Sequence, residues 1–164
     1  MAIRNIIKDD DPTLRKISRR VDEITPRITT LLDDMLETMR RANGCGLAAV
    51  QVGVLRRIVV VETEEGHPIE LINPVIIKAS EETQTEMEGC LSLPGRWGYT
   101  LRPKTVTVRA QDRNGDFFEV TGSDLLARAL CHELDHLDGK LYPDVAVHML
   151  TKKEMKEAGL IPAE

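Results

Sequence analysis

The sequence predicts an α+β fold in which antiparallel strands pack around a central helix. Runs rich in β-branched residues dominate the middle of the chain, between residues 58 and 121. One helical apolar pattern precedes these runs, and a second follows them over residues 125–136. Strands that are grouped between helices favour an α+β arrangement over an alternating α/β one.

The first predicted helix begins at Thr25, a favoured capping residue, with Pro26 at the first helical position. Apolar residues then recur at helical spacing, and the pattern ends near Asn43 and Gly44. They are Ile28, Leu31, Leu32, Met35, Leu36 and Met39. This stripe predicts core packing. The following residues, 44–51, are small and rich in glycine, which allows a backbone to approach another chain closely.

Three strands are predicted at residues 58–61, 69–77 and 105–110. Asn114-Gly115 is a favoured hairpin turn, so we expect the third strand to return through residues 116–121. A second helix should then begin with a cap at Ser123 or Asp124 and end near Gly139.

The second helix contains the most informative motif of the chain, H-E-L-D-H at residues 132–136. Its two histidines are four residues apart and share one helix face, so both imidazoles can reach a single divalent cation. Glu133 is near enough to exchange protons with a water molecule at that cation. The pattern favours metal-assisted hydrolysis, although a solvated amphipathic helix can carry the same residues.

A third ligand would distinguish between classes of metal enzyme. One large class with this motif has a histidine six residues after the second one, where this chain has Tyr142. Another class uses a glutamate from a long following helix, but only the short segment at residues 151–158 is left for it. Cys90, in E-G-C-L-S at residues 88–92, is a better candidate. A thiolate and two imidazoles leave a fourth position open for water.

The composition predicts a single domain over residues 1–164. The 164 residues can bury a sizeable core, and 41% hydrophobic and 30% charged residues are ordinary for a globular protein. The N-terminal residues are too polar for a signal peptide, and no stretch approaches the roughly 20 apolar residues of a membrane span. We therefore expect a cytoplasmic protein that has no membrane partner.

Charge and cysteine content restrict the partners further. A net charge of −5 argues against free nucleic acid as the main partner, because phosphate binding needs clustered Lys and Arg. The short basic stretches at residues 15–20 and 40–41 favour solvated surface, with a small chance of contact with ribosomal RNA. The three cysteines cannot all pair, and in a reducing compartment we expect Cys45, Cys90 and Cys131 to be thiols.

Three motifs together resemble the signature motifs of the peptide deformylases. They are G-C-G-L-A-A-V-Q at residues 44–51, E-G-C-L-S at residues 88–92 and H-E-L-D-H at residues 132–136. Their order and spacing also match, and the similarity extends from Asp11 to Leu141. The resemblance implies a peptide deformylase-like catalytic domain with a metal-bearing central helix. It further implies removal of the N-formyl group from the initiator methionine of nascent bacterial polypeptides, with release of formate.

The resemblance also implies the roles of individual residues. Cys90, His132 and His136 would bind the metal ion, which in this family is usually Fe2+, although Zn2+, Ni2+ or Co2+ suit the same ligands. Glu133 would transfer protons. The side-chain amide of Gln51 and the backbone N–H of Leu91 would stabilise the oxyanion, whereas without the motif Gln51 would be assigned to an exposed loop.

Substrate contacts follow from the same resemblance. Gly46 and Gly89 would pair with the backbone of the nascent peptide. The methionine pocket would include Cys45, Leu125 and Ala129, with Arg128 at its mouth. Arg128 and Val50 depart from the family pattern, which has an apolar residue and often a proline at these positions. A ribosome near the exit of nascent chains is a further expected partner.

Two other classes remain open. A metalloprotease would cut internal peptide bonds, but its usual third histidine or glutamate ligand is missing. A non-catalytic metal-binding or ribosome-associated module would not need Glu133 or Gln51. Asp135 also has alternatives: it could orient a ligand histidine, pair with Arg102 or lie exposed.

Overall fold

The computed structural model describes residues 2–162, so Met1, Ala163 and Glu164 of the expected domain lie outside the described residues. The helices are α1 (Pro26–Arg41), α2 (Leu125–Leu137) and α3 (Lys152–Glu157). The strands are β1 (Gly46–Ala48), β2 (Ile58–Val61), β3 (Ile69–Ala79), β4 (Thr83–Cys90), β5 (Leu93–Pro103), β6 (Thr105–Gln111), β7 (Phe117–Ser123) and β8 (Ala146–Met149). Short 3-10 turns lie at Pro12–Arg15, Ala49–Val52 and Tyr142–Asp144.

The strands form two antiparallel sheets. The larger sheet has the order β1-β2-β3-β6-β7, and the smaller one has the order β4-β5-β8. The predicted hairpin between β6 and β7 is confirmed, because Gly115 has a φ of 86° and its N–H donates to the carbonyl oxygen of Asp112. A second hairpin joins β4 to β5, where Cys90 pairs with Leu93.

Helices cover both faces of the larger sheet. Alternate side chains of strand β2 point to opposite faces of the sheet. Because both faces are covered, β2 is buried along its whole length. Ile58 and Val60 pack in one apolar cluster with Met35 and Met39 of α1. Val59 and Val61 pack in the other cluster, which contains Leu130 and further α2 residues.

Helix α2 lies between the two sheets. It packs against β1, β2, β6 and β7 of the larger sheet and against β5 of the smaller one. Nine of its thirteen residues are buried, including both histidines of the motif. Gly139, with a φ of 73°, follows the C-terminal end of the helix. The predicted α+β fold with a central helix is therefore confirmed.

Four strands were not predicted from the sequence, namely β1, β4, β5 and β8. The predicted cap positions are confirmed, without side-chain capping bonds. Thr25 and Asp124 occupy the N-cap positions of α1 and α2, but neither side chain makes a capping hydrogen bond. The Asp124 carboxylate instead contacts Lys104 Nζ at 2.6 Å. Within residues 2–162, no helix is long and apolar enough to cross a membrane.

Candidate active site

A cavity of about 450 Å³ opens between α2, β1 and the β4–β5 hairpin. Eleven of the twelve residues named from the sequence line it; these are Cys45, Gly46, Gln51, Gly89, Cys90, Leu91, Leu125, Arg128, Ala129, His132 and Glu133. The twelfth, His136, is buried behind the wall. Residues that sequence analysis did not single out also line the cavity, among them Met87, Arg96 and Trp97.

Cys90, His132 and His136 bring their possible ligand atoms within 4.8 Å of one another. Cys90 Sγ lies 3.5 Å from His136 Nε2. Bond lengths of about 2.0–2.3 Å to a tetrahedral cation place neighbouring ligand atoms roughly 3.5 Å apart. A thiol and two imidazoles at these separations therefore fit one divalent cation. Among the described residues, this is the group of His, Cys, Asp and Glu side chains with that geometry.

A buried ion network orients His132. Its Nδ1 lies 2.8 Å from Oε1 of Glu88, and Arg102 donates to both oxygens of Glu88 at 2.9 and 3.0 Å. Thr100 also donates to Glu88, and Arg102 reaches Asp135 at 2.6 Å. Of the alternatives for Asp135, the structure therefore shows the pair with Arg102. With Nδ1 engaged, the Nε2 atom of His132 is left for another partner.

The electrostatics differ between the two histidines. Burial lowers the pKa of His132, but the charge of Glu133 and the hydrogen bonds with Cys90 and Glu88 outweigh burial and raise the pKa well above its ordinary value. Burial and the charge of His132 lower the pKa of His136. The surroundings of His132 thus attract positive charge, which a bound cation would also supply, and His136 is kept as a neutral imidazole, the form that ligates metals.

The partners of Glu88 explain how a carboxylate is tolerated at this depth. Burial alone would raise the pKa of Glu88, but the hydrogen bonds from His132 and Arg102 outweigh burial and lower the pKa to about 2. Glu88 is therefore a fixed negative charge behind His132. In the sequence, Glu88 is visible only as the first residue of the E-G-C-L-S motif, without an indicated role.

Glu133 lies on the cavity side of α2, against strand β1. A Cβ atom added to Gly46 would overlap its carboxylate, so the glycine makes room for Glu133. The Oε1 atom of Glu133 is buried and has no hydrogen-bond partner in the described part of the chain. Burial, together with the charge of Glu88, raises its pKa to about 7, despite the opposing charge of His132. An unpartnered buried carboxylate oxygen indicates that a further polar group belongs beside it.

Gln51 is buried, which excludes the alternative of an exposed loop amide. Its Oε1 accepts from the Ala48 N–H at 2.9 Å, which fixes the orientation of the amide. The Nε2 atom then donates to Ser92 Oγ at 3.1 Å and lies 3.7 Å from Cys90 Sγ. The side-chain amide of Gln51 therefore holds one N–H beside Cys90, at the edge of the cavity.

Two aromatic side chains have contacts that the sequence did not predict. Tyr142, at the position where one protease class has its third histidine, is buried and stacks on His132 with a centroid separation of 5.9 Å. The ring of Trp97 fills the space where a Cβ of Gly89 would lie. Gly89 is therefore required for packing against Trp97, a reason separate from any contact with a peptide.

A family model identifies the chain. The model described as polypeptide deformylase matches residues 3–152. The chain belongs to the polypeptide deformylase family. The resemblance found in the sequence is confirmed, and the chain is an enzyme that removes the N-formyl group from nascent peptides. This family is metal-dependent, in agreement with the cysteine–histidine group beside the cavity.

Similar proteins and solved structures support the assignment of the chain to the deformylase family. A peptide deformylase from Alkaliphilus metalliredigens is 58% identical over 144 residues, which are 88% of this chain and 97% of the relative. One from Agathobacter rectalis is 52% identical over 160 residues, covering 96% and 100%. The crystal structure of a peptide deformylase from Legionella pneumophila has a TM-score of 0.85 at 40% identity and covers 97% of this chain and 92% of that one. The peptide deformylase from Ehrlichia chaffeensis in complex with actinonin has a TM-score of 0.86 at 38% identity, covering 96% and 94%.

Proposed function

We propose that the chain performs deformylation at a metal centre formed by Cys90, His132 and His136. The observation that supports this most strongly is the approach of their ligand atoms to within 4.8 Å, at the wall of a cavity that Glu133 and Gln51 also line. A divalent cation held there would lower the pKa of water far below its bulk value, toward about 7, and would polarise the formyl oxygen. By resemblance the cation is Fe2+, and Zn2+, Ni2+ or Co2+ would suit the same ligands.

Glu133 is the proton carrier in this proposal. Within residues 2–162 its buried Oε1 lacks a hydrogen-bond partner, and Glu133 lines the same cavity as the ligand His132. Glu133 accepts a proton from that water and then delivers it to the departing amine of the methionine. The contact with Gly46 keeps the carboxylate in place for both transfers.

Gln51 and Leu91 stabilise the oxyanion that develops on the formyl group. The amide of Gln51 is fixed by Ala48 and Ser92, so its N–H needs no reorganisation during the reaction. Leu91 directly follows Cys90, and its backbone N–H is assigned the second hydrogen bond. An oxyanion donor of this kind contributes about 2.7–4 kcal/mol to the transition state.

The peptide lies extended along the cavity, between strand β1 and the β4–β5 hairpin. Gly46 and Gly89 supply backbone hydrogen bonds to it. Cys45, Leu125 and Ala129 form the methionine pocket, and Arg128 is at its mouth. A formyl carbon has only a hydrogen substituent, so a tight fit at the reacting carbon can exclude an acetyl group.

The cellular setting proposed here is bacterial cytoplasm, with formylmethionyl nascent peptides as the partners. A ribosome near the exit of nascent chains is the proposed larger partner. The net charge of −5 disfavours free nucleic acid.

Formate release from formyl-Met-Ala-Ser, with protein purified without oxygen, tests the proposal. The matched control peptide is acetyl-Met-Ala-Ser, and casein digestion tests for protease activity. We expect formate from the first peptide, at least about 100-fold slower turnover of the second, and no digestion of casein. Comparable rates on the formyl and acetyl peptides would contradict the proposed reaction, and casein cleavage would favour a metalloprotease.

A further inference from the structure

Arg128 is held in a fixed position at the wall of the cavity. It lies one turn before His132 in α2, and its side chain is half-buried. The amide nitrogen of buried Gln84 donates to the carbonyl oxygens of Pro103 and Asp124, both at 3.0 Å. The oxygen of the Gln84 amide must therefore face the other way, where it accepts from Arg128 Nη1 at 2.7 Å. This bond orients the guanidinium.

The charge of Arg128 is not balanced by a carboxylate. Within residues 2–162, no Asp or Glu oxygen lies in ion-pair contact with its guanidinium. Asp124, one turn earlier in α2 and well placed for such a pair, contacts Lys104 instead. Only one of the five donors of the Arg128 guanidinium is occupied by Gln84, which leaves capacity for an anion.

The other arginine of the cavity lining already has a carboxylate partner. Arg96, the second arginine in the lining, pairs with Asp9 at 2.8 Å. Glu88 is neutralised by Arg102 behind the cavity wall. Of the two arginines in the lining, Arg128 is therefore the one that is available to an incoming carboxylate.

We propose that Arg128 selects substrates with an acidic third residue. The inference rests on the proposed function, in which the formylated methionine enters the pocket beside Arg128. Side chains of an extended peptide alternate between faces, so the first and third residues point the same way, about 7 Å apart. The third side chain then projects toward the mouth of the methionine pocket, whereas the second points away from it. A carboxylate there can pair with the guanidinium that Gln84 holds.

The size of the preference follows from the exposure of the site. Because Arg128 is half-buried at an open mouth, the pair should behave like a partly screened surface ion pair, which favours a Glu third residue by about threefold over Gln. The preference should decrease as ionic strength rises, because salt screens exposed charges.

Peptide competition with matched variants tests the inference. The substrates are formyl-Met-Ala-Glu-Ser and formyl-Met-Ala-Gln-Ser with amidated C-termini, so that the glutamate is the single carboxylate. The measured quantity is the ratio of their kcat/KM values within each protein. We expect a ratio of about three for the parent, close to one for Arg128→Gln, and below one for Arg128→Glu. Arg27→Gln, an exposed arginine of α1 outside this cavity, changes the net charge equally and should keep the parent ratio.

The outcomes separate this inference from the proposed function. The Gln peptide has no acidic side chain, so formate release from it depends on the metal centre and not on a preference exerted by Arg128. If the parent released no formate from this peptide, the proposed function itself would be contradicted. Release from both peptides with a parent ratio near one would overturn the role of Arg128. The same holds if Arg128→Gln keeps the parent ratio, or if the preference appears when Glu is moved to the second residue.

Discussion

Oε1 of Glu88, at the end of strand β4, lies 2.8 Å from Nδ1 of His132 in helix α2, and both side chains are buried. This contact links the smaller sheet to the central helix. It also fixes which imidazole nitrogen faces the cavity, because a donor at Nδ1 leaves Nε2 as the ligand atom. The geometry of the candidate metal centre therefore depends on a residue outside the three ligands.

The Glu88→Gln variant should weaken metal binding by about 10- to 100-fold, because an amide cannot hold both His132 and Arg102 as the carboxylate does. The dissociation constant of the metal, measured by competition with a chelator, checks this. Glu86→Gln is the matched control, since Glu86 is exposed on the same strand. Affinity within twofold of the parent in Glu88→Gln would show that the contact does not orient the ligand.

Gly46→Ala should lower kcat by roughly 100-fold while the metal stays bound. The added methyl group would overlap the Glu133 carboxylate and push it out of position for proton transfer. Formate release and metal content are measured on one sample. Gly53→Ala is the comparison, since Gly53 has a φ of 82° and no atoms near an added Cβ. It should lose stability but keep its activity. Equal activity losses in both variants would point to general backbone disturbance.

Much of this fold follows from sequence pattern, and the missing strands have physical reasons. Strands β2, β3 and β6 are rich in β-branched residues, and β7 follows the Asn114-Gly115 turn. In contrast, β4 is mostly polar and β5 contains two prolines and two glycines. Their pairing is decided by tertiary contacts, including the buried bond network of Glu88 and Arg102 across the hairpin. That network joins residues fourteen positions apart, so no local pattern predicts it.

The site could be listed from motif resemblance, but its supporting contacts could not. Burial of Gln51, stacking of Tyr142 on His132 and packing of Trp97 on Gly89 all require the folded chain. The small residues at positions 44–51 predict close approach of another backbone. The structure adds a second reason for glycine at position 46, which is the room it leaves for Glu133.

Cys90→Ser should lose metal affinity far more than Cys45→Ser or Cys131→Ser, because Cys90 is the cysteine that groups with the two histidines in the described part of the chain. Cobalt-substituted protein provides the measurement, since a thiolate ligand gives a sulfur-to-metal charge-transfer band in the near ultraviolet. The band should be present in the two control variants. Its persistence in Cys90→Ser would exclude Cys90 as the ligand.

Asp34→Asn should reduce the free energy of unfolding at pH 7 by about 1–3 kcal/mol. Asp34 is buried in α1 and accepts from the Ala2 N–H at 2.8 Å and from Arg4 Nε at 3.0 Å. The bond from Ala2, reinforced by Arg4 against the effect of burial, lowers the pKa of Asp34. Denaturant titration measures the loss, and Asp33→Asn on the more exposed neighbouring residue should cost less.

The sign of the pH dependence follows from that lowered pKa. In the unfolded chain Asp34 has a pKa of about 3.9, so its contribution to the free energy of unfolding is fully present above that pH. This contribution is lost as the pH falls through the lower pKa that Asp34 has in the folded protein. The difference in unfolding free energy between the parent and Asp34→Asn should therefore shrink in that range. A difference that stays constant from pH 7 to below pH 3 would contradict this assignment.

The most direct test of the proposed centre is formate release by Glu133→Ala, with metal content measured by elemental analysis on the same preparation. The ligands are untouched, so the variant should bind one metal ion per chain like the parent. Without the proton carrier, turnover should fall by about 10²- to 10⁴-fold. Activity within about tenfold of the parent at full metal content, a change of less than about 1.4 kcal/mol in the barrier, would show that Glu133 does not carry the proton.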